Sequence, residues 1–274
     1  MRRNLSRQLP LFLLLCGFTA VNLTPVIWGV LTSFKQPVDA FAIPPRLFFT
    51  PTWEFHEQIW VDKGFWRFLI NSAVISAGTV VSSVSVGTMA AYGLSRLSSG
   101  ASRGLLFALL SMRMFPHILL AIPFFVLAQT LGLINTYAAM ILALVAINQP
   151  FTIWLMRSFF LDVPHELYEA AAIDGCNAWQ VFTRVALPVV RPGLWVTALF
   201  SLLLAYNEFL FALVLTGPDT KTLPVAIAEY GGEDINYWSL SAAAAVGIML
   251  PIVVFMMLLQ RHLVRGLALG AVKG

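Results

Sequence analysis

Six separate stretches of the chain are long and apolar enough to cross a lipid bilayer: Leu9–Ser33, Phe68–Leu94, Leu105–Ala128, Ala138–Leu155, Gly193–Leu215 and Leu240–Leu259. A spanning helix needs roughly 20 mostly apolar residues, because every backbone polar group must be satisfied inside the segment once water is gone. The chain as a whole is 59% hydrophobic and only 11% charged. A compact water-soluble fold of that composition would leave large sticky patches exposed, so lipid is the expected solvent. The expected fold is therefore all-α and integral to a membrane, with six transmembrane helices in one domain covering residues 1–274.

Charge placement sets the expected orientation. With the N-terminus inside, one side of the membrane receives Arg2, Arg3, Arg7, Arg96, Arg103, Arg157, Arg184, Arg191, Arg261, Arg265 and Lys273, and the other only Lys35, Arg46, Lys63, Arg67 and Lys221. That bias predicts both termini on the cytoplasmic side. The net charge of +4 is spread as single residues rather than gathered into a patch, which argues against nucleic acid as a partner. The first apolar run begins like a signal peptide but continues past Pro25 without a small-residue cleavage pattern, so it is read as an uncleaved helix. Cys16 and Cys176 fall in dissimilar segments and are not expected to pair, and no metal-ligand spacing occurs.

The second apolar stretch is the weakest, and Thr79, Ser83, Gly87 and Ala91 recur along it every four residues. Such a small-residue stripe lets a neighbouring helix approach closely. Loop lengths are unequal: residues 35–67 and 216–239 are long outer loops, 157–192 a long inner one, and no internal repeat is evident. The inner loop places Pro164, Glu166 and Glu169 where a helix would begin, then Ala170, Ala171 and Ala172, then Gly175 as a C-terminal cap. A second short amphipathic stretch, Ala178–Val185, is expected to end at Leu187-Pro188. Two short helices with a glycine bend make a knob shaped for a groove on a partner.

Glu169-Ala170-Ala171, three residues, Gly175, nine residues and then Val185-Ala186-Leu187-Pro188 resemble the EAA-loop signature of the permease subunits of bacterial ABC importers, with Val185 where the pattern has Ile. Asn71-Ser72, the run Ala91–Arg96, Tyr206-Asn207-Glu208-Phe209-Leu210, and the C-terminal Leu263–Gly266 and Gly270–Gly274 resemble the carbohydrate, maltose-type branch. The resemblance covers the chain from about Asn71 onward. It implies a subunit of the bacterial cytoplasmic membrane that forms half of a path for a sugar, oligosaccharide, polyol or sugar derivative. The implied partners are a second permease of different sequence, a dimer of cytoplasmic ATP-binding subunits and an extracytoplasmic solute-binding protein. Glu169, Ala170, Ala171, Asp174, Gly175, Leu187 and Pro188 would then couple to the ATPase. No Gly-rich phosphate loop with Lys-Ser/Thr is present, so ATP and Mg are expected on the partner, with no cofactor and no catalysis in this chain.

Two further regions carry expectations. Arg113 and Glu208 lie within apolar stretches, where a charge costs at least roughly 2.5–3.5 kcal/mol and so faces protein or a watery cavity. With His117 and Asn207 they are either polar contacts along the sugar path or a structural pair, and Tyr206 and Phe209 offer aromatic faces nearby. The second outer loop, with Glu229, Tyr230, Glu233, Asp234 and Asn236, is by the resemblance a contact for the binding protein, or else packs on its own chain. The C-terminal tail is a further candidate for touching the ATPases. The alternative to the importer is a carrier driven by an ion gradient, for which only Glu208 offers an ion-site carboxylate. A membrane-embedded enzyme would need clustered His and acidic residues, and the four histidines are scattered.

Overall fold

The computed structural model describes residues 5–229 and 236–271, and those residues are helical or irregular with no strand among them. The main helices are α1 (Leu5–Thr32), α2 (Trp66–Arg96), α3 (Ser99–Ser111), α4 (His117–Thr130), α5 (Tyr137–Leu161), α6 (His165–Ile173), α7 (Ala178–Val189), α8 (Arg191–Tyr206), α9 (Leu210–Leu215), α10 (Leu223–Ala228) and α11 (Asn236–Ala271). Four helical segments are long and apolar enough to span: Leu9–Thr32, Trp66–Arg96, Tyr137–Leu161 and Tyr237–Met257. Two pairs reach that length only together and are sharply bent, Gly100–Met114 with His117–Thr130 by 92°, and Ala178–Val189 with Arg191–Tyr206 by 77°. Counting each pair as one span gives up to six by length and composition, although the second pair joins α7 of the loop to α8 and stops short of the expected end at Leu215.

Two of the expected spans are not straight helices. The third breaks at Phe115-Pro116, where the proline ring pushes Phe115 into an extended conformation (φ −70°, ψ 133°) after the tight turn Met112–Met114. The fifth ends at Tyr206, and a gap at Asn207–Phe209 separates it from α9. Prolines elsewhere (Pro25 in α1, Pro123 in α4, Pro150 in α5) are carried inside continuous helices.

The chain forms two compact units. In the first, Met1–Arg67 with Ala226–Leu250, no residue in the apolar window of α1 is buried, which leaves that helix available to lipid. The loop that follows holds two short helices, Pro37–Ala40 and Glu54–Glu57, the latter continuing as a wide turn to Asp62. Lys35 is fully buried there: its Nζ donates to the Arg46 carbonyl (2.7 Å) and lies 4.1 Å from the Trp28 ring centroid.

The second unit, Phe68–Val225 with Pro251–Gly274, contains the helices that carry the candidate sites. One core cluster packs Ile75, Met140, Ala143, Leu144, Phe211 and Leu215, and a second packs Ala91, Met156, Phe160, Tyr168, Phe182 and Ala186. Between them α2 and α5 meet along the small-residue stripe. Thr79, Ser83, Gly87 and Ala91 are all buried, and Ser83 Oγ lies 3.1 Å from Thr152 Oγ1. A β-carbon on Gly87 would stand 2.4 Å from Thr152 Cγ2, so the close approach requires glycine.

Candidate functional site

The knob formed by α6 and α7 is built by local signals. Helix α6 ends in a Schellman turn: Gly175 adopts φ +75°, its N–H donates to the Ala172 carbonyl (3.1 Å), and the Cys176 N–H donates to the Ala171 carbonyl (3.0 Å). Helix α7 opens with a reciprocal capping box, the Gln180 N–H donating to Asn177 Oδ1 and the Asn177 N–H to Gln180 Oε1, each at 2.9 Å. α7 ends within one residue of the expected Leu187-Pro188. It runs to Val189 through a wide π-helical turn, Val181–Ala186, which takes up the register just before the N–H that Pro188 lacks.

One side of the knob is anchored. Tyr168 and Ala171 of α6 and Phe182 and Ala186 of α7 are buried, with Phe182 5.0 Å from Tyr92 of α2 between ring centroids. The Arg96 guanidinium stacks 4.5 Å from the Tyr168 ring. Burial first, and then neighbouring Tyr92, hold the Tyr168 hydroxyl above its usual pKa, with Arg96 opposing. The other side is bare: Glu169, Ala170, Asp174, Gly175 and Pro188 are exposed, as are Ile173 and Trp179. Ala171 is thus a packing residue and Leu187 is half-buried against the same core. Glu169 pairs with His165 one turn earlier (3.2 Å), a solvated contact of small energetic weight.

The expected membrane charges do converge. Arg113 sits in the tight turn before α4, His117 is the first residue of α4, and Glu208 lies in the gap between α8 and α9. They line a small cavity of about 30 Å³ together with Thr79 of α2 and Asn148 of α5. Arg113 and His117 also line an adjoining, mostly apolar cavity of about 230 Å³ with Phe115 and Phe124. His117 Nδ1 is 4.0 Å from Glu208 Oε2, and the other Glu208 oxygen accepts the Phe211 N–H at 3.1 Å, at the start of α9. Arg113 lies 5.3 Å from the Phe151 ring centroid rather than in an ion pair with Glu208.

Asn207 is not brought to the cleft; it is exposed and its amide donates to the Leu203 carbonyl (2.9 Å). Tyr206 is buried and Phe209 exposed, and neither lines these cavities, where Phe115 and Phe124 supply the aromatic faces. Thr79 and Asn148 are the residues that sequence reasoning did not place here. Thr79 Oγ1 and Asn148 Oδ1 are buried and have no hydrogen-bond partner within the chain. An asparagine beside Gln149-Pro150 in the middle of an apolar run was the available signal for Asn148. Among the described residues no group of His, Cys, Asp and Glu has the arrangement of a metal site.

Of the outer-loop candidates, Glu229 is exposed just past α10 and Asn236 begins α11, while Tyr230, Glu233 and Asp234 lie outside the described residues, as does Lys273 of the tail.

Comparison with known proteins agrees with this architecture. The profile of the family described as binding-protein-dependent transport system inner membrane component matches residues 83–269. The probable ABC transporter permease protein y4oR of Sinorhizobium fredii is 40% identical over 268 residues, 98% of this chain and 96% of that one. The trehalose/maltose transport system permease protein MalG of Thermococcus litoralis is 32% identical over 279 residues, spanning both chains in full. Among solved structures, a chain of a bacterial ABC transporter that imports the acidic polysaccharide alginate shares the fold with a TM-score of 0.74 at 22% identity, covering 95% of this chain and 98% of that one. None of these likenesses supports a carrier driven by an ion gradient. The chain belongs to the family of binding-protein-dependent transport system inner membrane components, the permease subunits of ABC importers.

Proposed function

We propose that this permease forms half of the translocation path for a sugar, oligosaccharide, polyol or sugar derivative. The observation that carries the substrate class is the full-length likeness to sugar permeases: the trehalose/maltose protein above and the trehalose transport system permease SugB of Mycobacterium tuberculosis, 36% identical over 92% of this chain. The cleft supports it with Arg113, His117 and Glu208 beside the aromatic faces of Phe115 and Phe124, a mixture suited to a polyhydroxylated ligand.

The knob docks on a cytoplasmic ATPase, which binds ATP and Mg. Its exposed Glu169, Ile173 and Trp179 are the contact, because a rigid bare face with apolar anchors beside a charge fits a groove. Residues 1–274 act as one permease domain, with both termini on the cytoplasmic side of the bacterial inner membrane and the outer loop around Glu229 and Asn236 turned to the binding protein. A second permease of different sequence completes the path.

The test is reconstitution of this chain with its partner permease, ATPase and binding protein in proteoliposomes. ATP-dependent uptake of radiolabelled disaccharide is expected. In Asn148→Ala the KM for transport should rise while binding-protein-stimulated ATP hydrolysis stays intact. Uptake that persists without ATP, or no uptake of any sugar that the binding protein holds, would refute the reading.

A further inference from the structure

A group of polar contacts in the second unit, most of them part-buried, lies outside both the cleft and the knob, at the N-terminal ends of α2 and α5. The segment after α9, residues 216–222, is irregular, so its backbone donors and acceptors need partners. Three side chains supply them. The Asn71 amide donates to the carbonyls of Asp219 (3.0 Å) and Lys221 (2.9 Å), while its oxygen accepts the Tyr137 hydroxyl (2.7 Å). Ser72 Oγ accepts the Leu223 N–H (2.9 Å).

Asn135, in the turn before α5, does the rest. Its Oδ1 accepts from the Gly217 N–H (3.0 Å), the Thr220 N–H (3.3 Å) and the Thr220 hydroxyl (3.0 Å), and its Nδ2 donates to Asp219 Oδ2 (2.7 Å). Asn135 also holds φ +58°. A turn that needed only a left-handed residue would be served at lower cost by glycine, so the amide itself is what this position uses.

Asn71 and Ser72 belong to α2, which carries Thr79 about two turns further in; Tyr137 belongs to α5, which carries Asn148 about three turns further in. The walls of the cleft and the base of the outer loop are therefore held by the same two helices. We propose that Asn135 and Asn71 are positioning residues that make the loop base one rigid body with α2 and α5, so that docking of the binding protein on the loop is delivered to the cleft. This rests on the proposed role of the outer loop in meeting the binding protein.

The test uses the complete importer in proteoliposomes, with ATP hydrolysis measured against binding-protein concentration. In Asn135→Gly, which keeps the backbone conformation and removes the amide, basal hydrolysis should hold while stimulation falls by roughly tenfold, the usual scale of coupling between sites. Asn135→Asp sets a second carboxylate against Asp219 and should lose stimulation as well. The exchanged pair Asn135→Asp with Asp219→Asn restores a donor and an acceptor at that contact and should recover most of it. Full stimulation in Asn135→Gly overturns the proposal, as does failure of the exchanged pair to recover, or basal hydrolysis falling in step with stimulation, which marks a purely structural role. A wild-type importer indifferent to its binding protein would instead refute the function on which the proposal rests.

Discussion

Gly175 offers the sharpest perturbation, because there the backbone effect separates cleanly from packing. It holds φ +75°, and nothing lies within 4 Å of where a β-carbon would stand, so a substituted side chain meets no neighbour and the whole penalty is torsional. For an L-residue in the left-handed region that penalty is roughly 1–2 kcal/mol, lower for asparagine and higher for a β-branched residue. If the turn relaxes, the Gly175 and Cys176 N–H bonds to α6 go with it and the last turn of α6 loses its cap. A net cost of about 1 kcal/mol lowers the ratio of correctly aimed to misaimed knob about fivefold, so a knob that starts about half populated falls to about one sixth. The assay is the ratio of sugar transported to ATP hydrolysed in proteoliposomes, with co-purification of the ATPase as the check on docking. The expected order is Gly, then Asn, then Ala, then Val. Equal coupling in all four, or an Asn variant as damaged as Val, would refute the argument that the left-handed turn aims the knob.

Gly87→Ala should lower thermal stability in detergent, because its β-carbon would meet the fully buried Thr152 at 2.4 Å and Gln149 Oε1 at 2.9 Å. The overpacking cost of roughly 1–3 kcal/mol exceeds the gain of up to about 1 kcal/mol in helix propensity, and a raised Tm would contradict it. Burial holds the His56 imidazole, outside the spans, below its ordinary pKa of 6.5. The unfolded chain therefore binds a proton that the folded one resists, and stability falls as the pH drops below that value. Replacing His56 with Gln should flatten the fall in a Tm series across mildly acidic pH.

Much of this was legible because the bilayer leaves few choices. Twenty apolar residues in lipid form a helix, and Gly175 after a run of alanines ends one. What stayed hidden depended on contacts across helices. Pro116 breaks its span while Pro25, Pro123 and Pro150 do not, and no local feature separates them; the difference is the tight turn that Met112–Met114 makes first. Glu208 was visible as a costly charge, but the gap around it was not, since Tyr206–Leu210 contains no proline or glycine to mark a break. Asn177 and Gln180 carried a readable capping box, and the wide turn that follows carries α7 past Pro188.

The breaks and the charges account for each other. A charge at membrane depth is tolerable where backbone groups are released from helical pairing, and irregular backbone at that depth is tolerable where it lines a cavity. Arg113, His117 and Glu208 all sit at helix ends, and Glu208 takes up a free N–H at the start of α9. Replacing Glu208 with Ala would thus remove a cap as well as a cleft charge, so its loss should cost more in assembly than the loss of Asn148, which caps nothing. The helices without such breaks, α2 and α5, reach from the Asn71–Tyr137 contact through Thr79 and Asn148 to Tyr92 and Phe160 beneath the knob. Continuity in these two and interruption in their neighbours divide the labour: the broken helices hold the charged groups of the cleft, and the unbroken pair runs from the base of the loop to the knob.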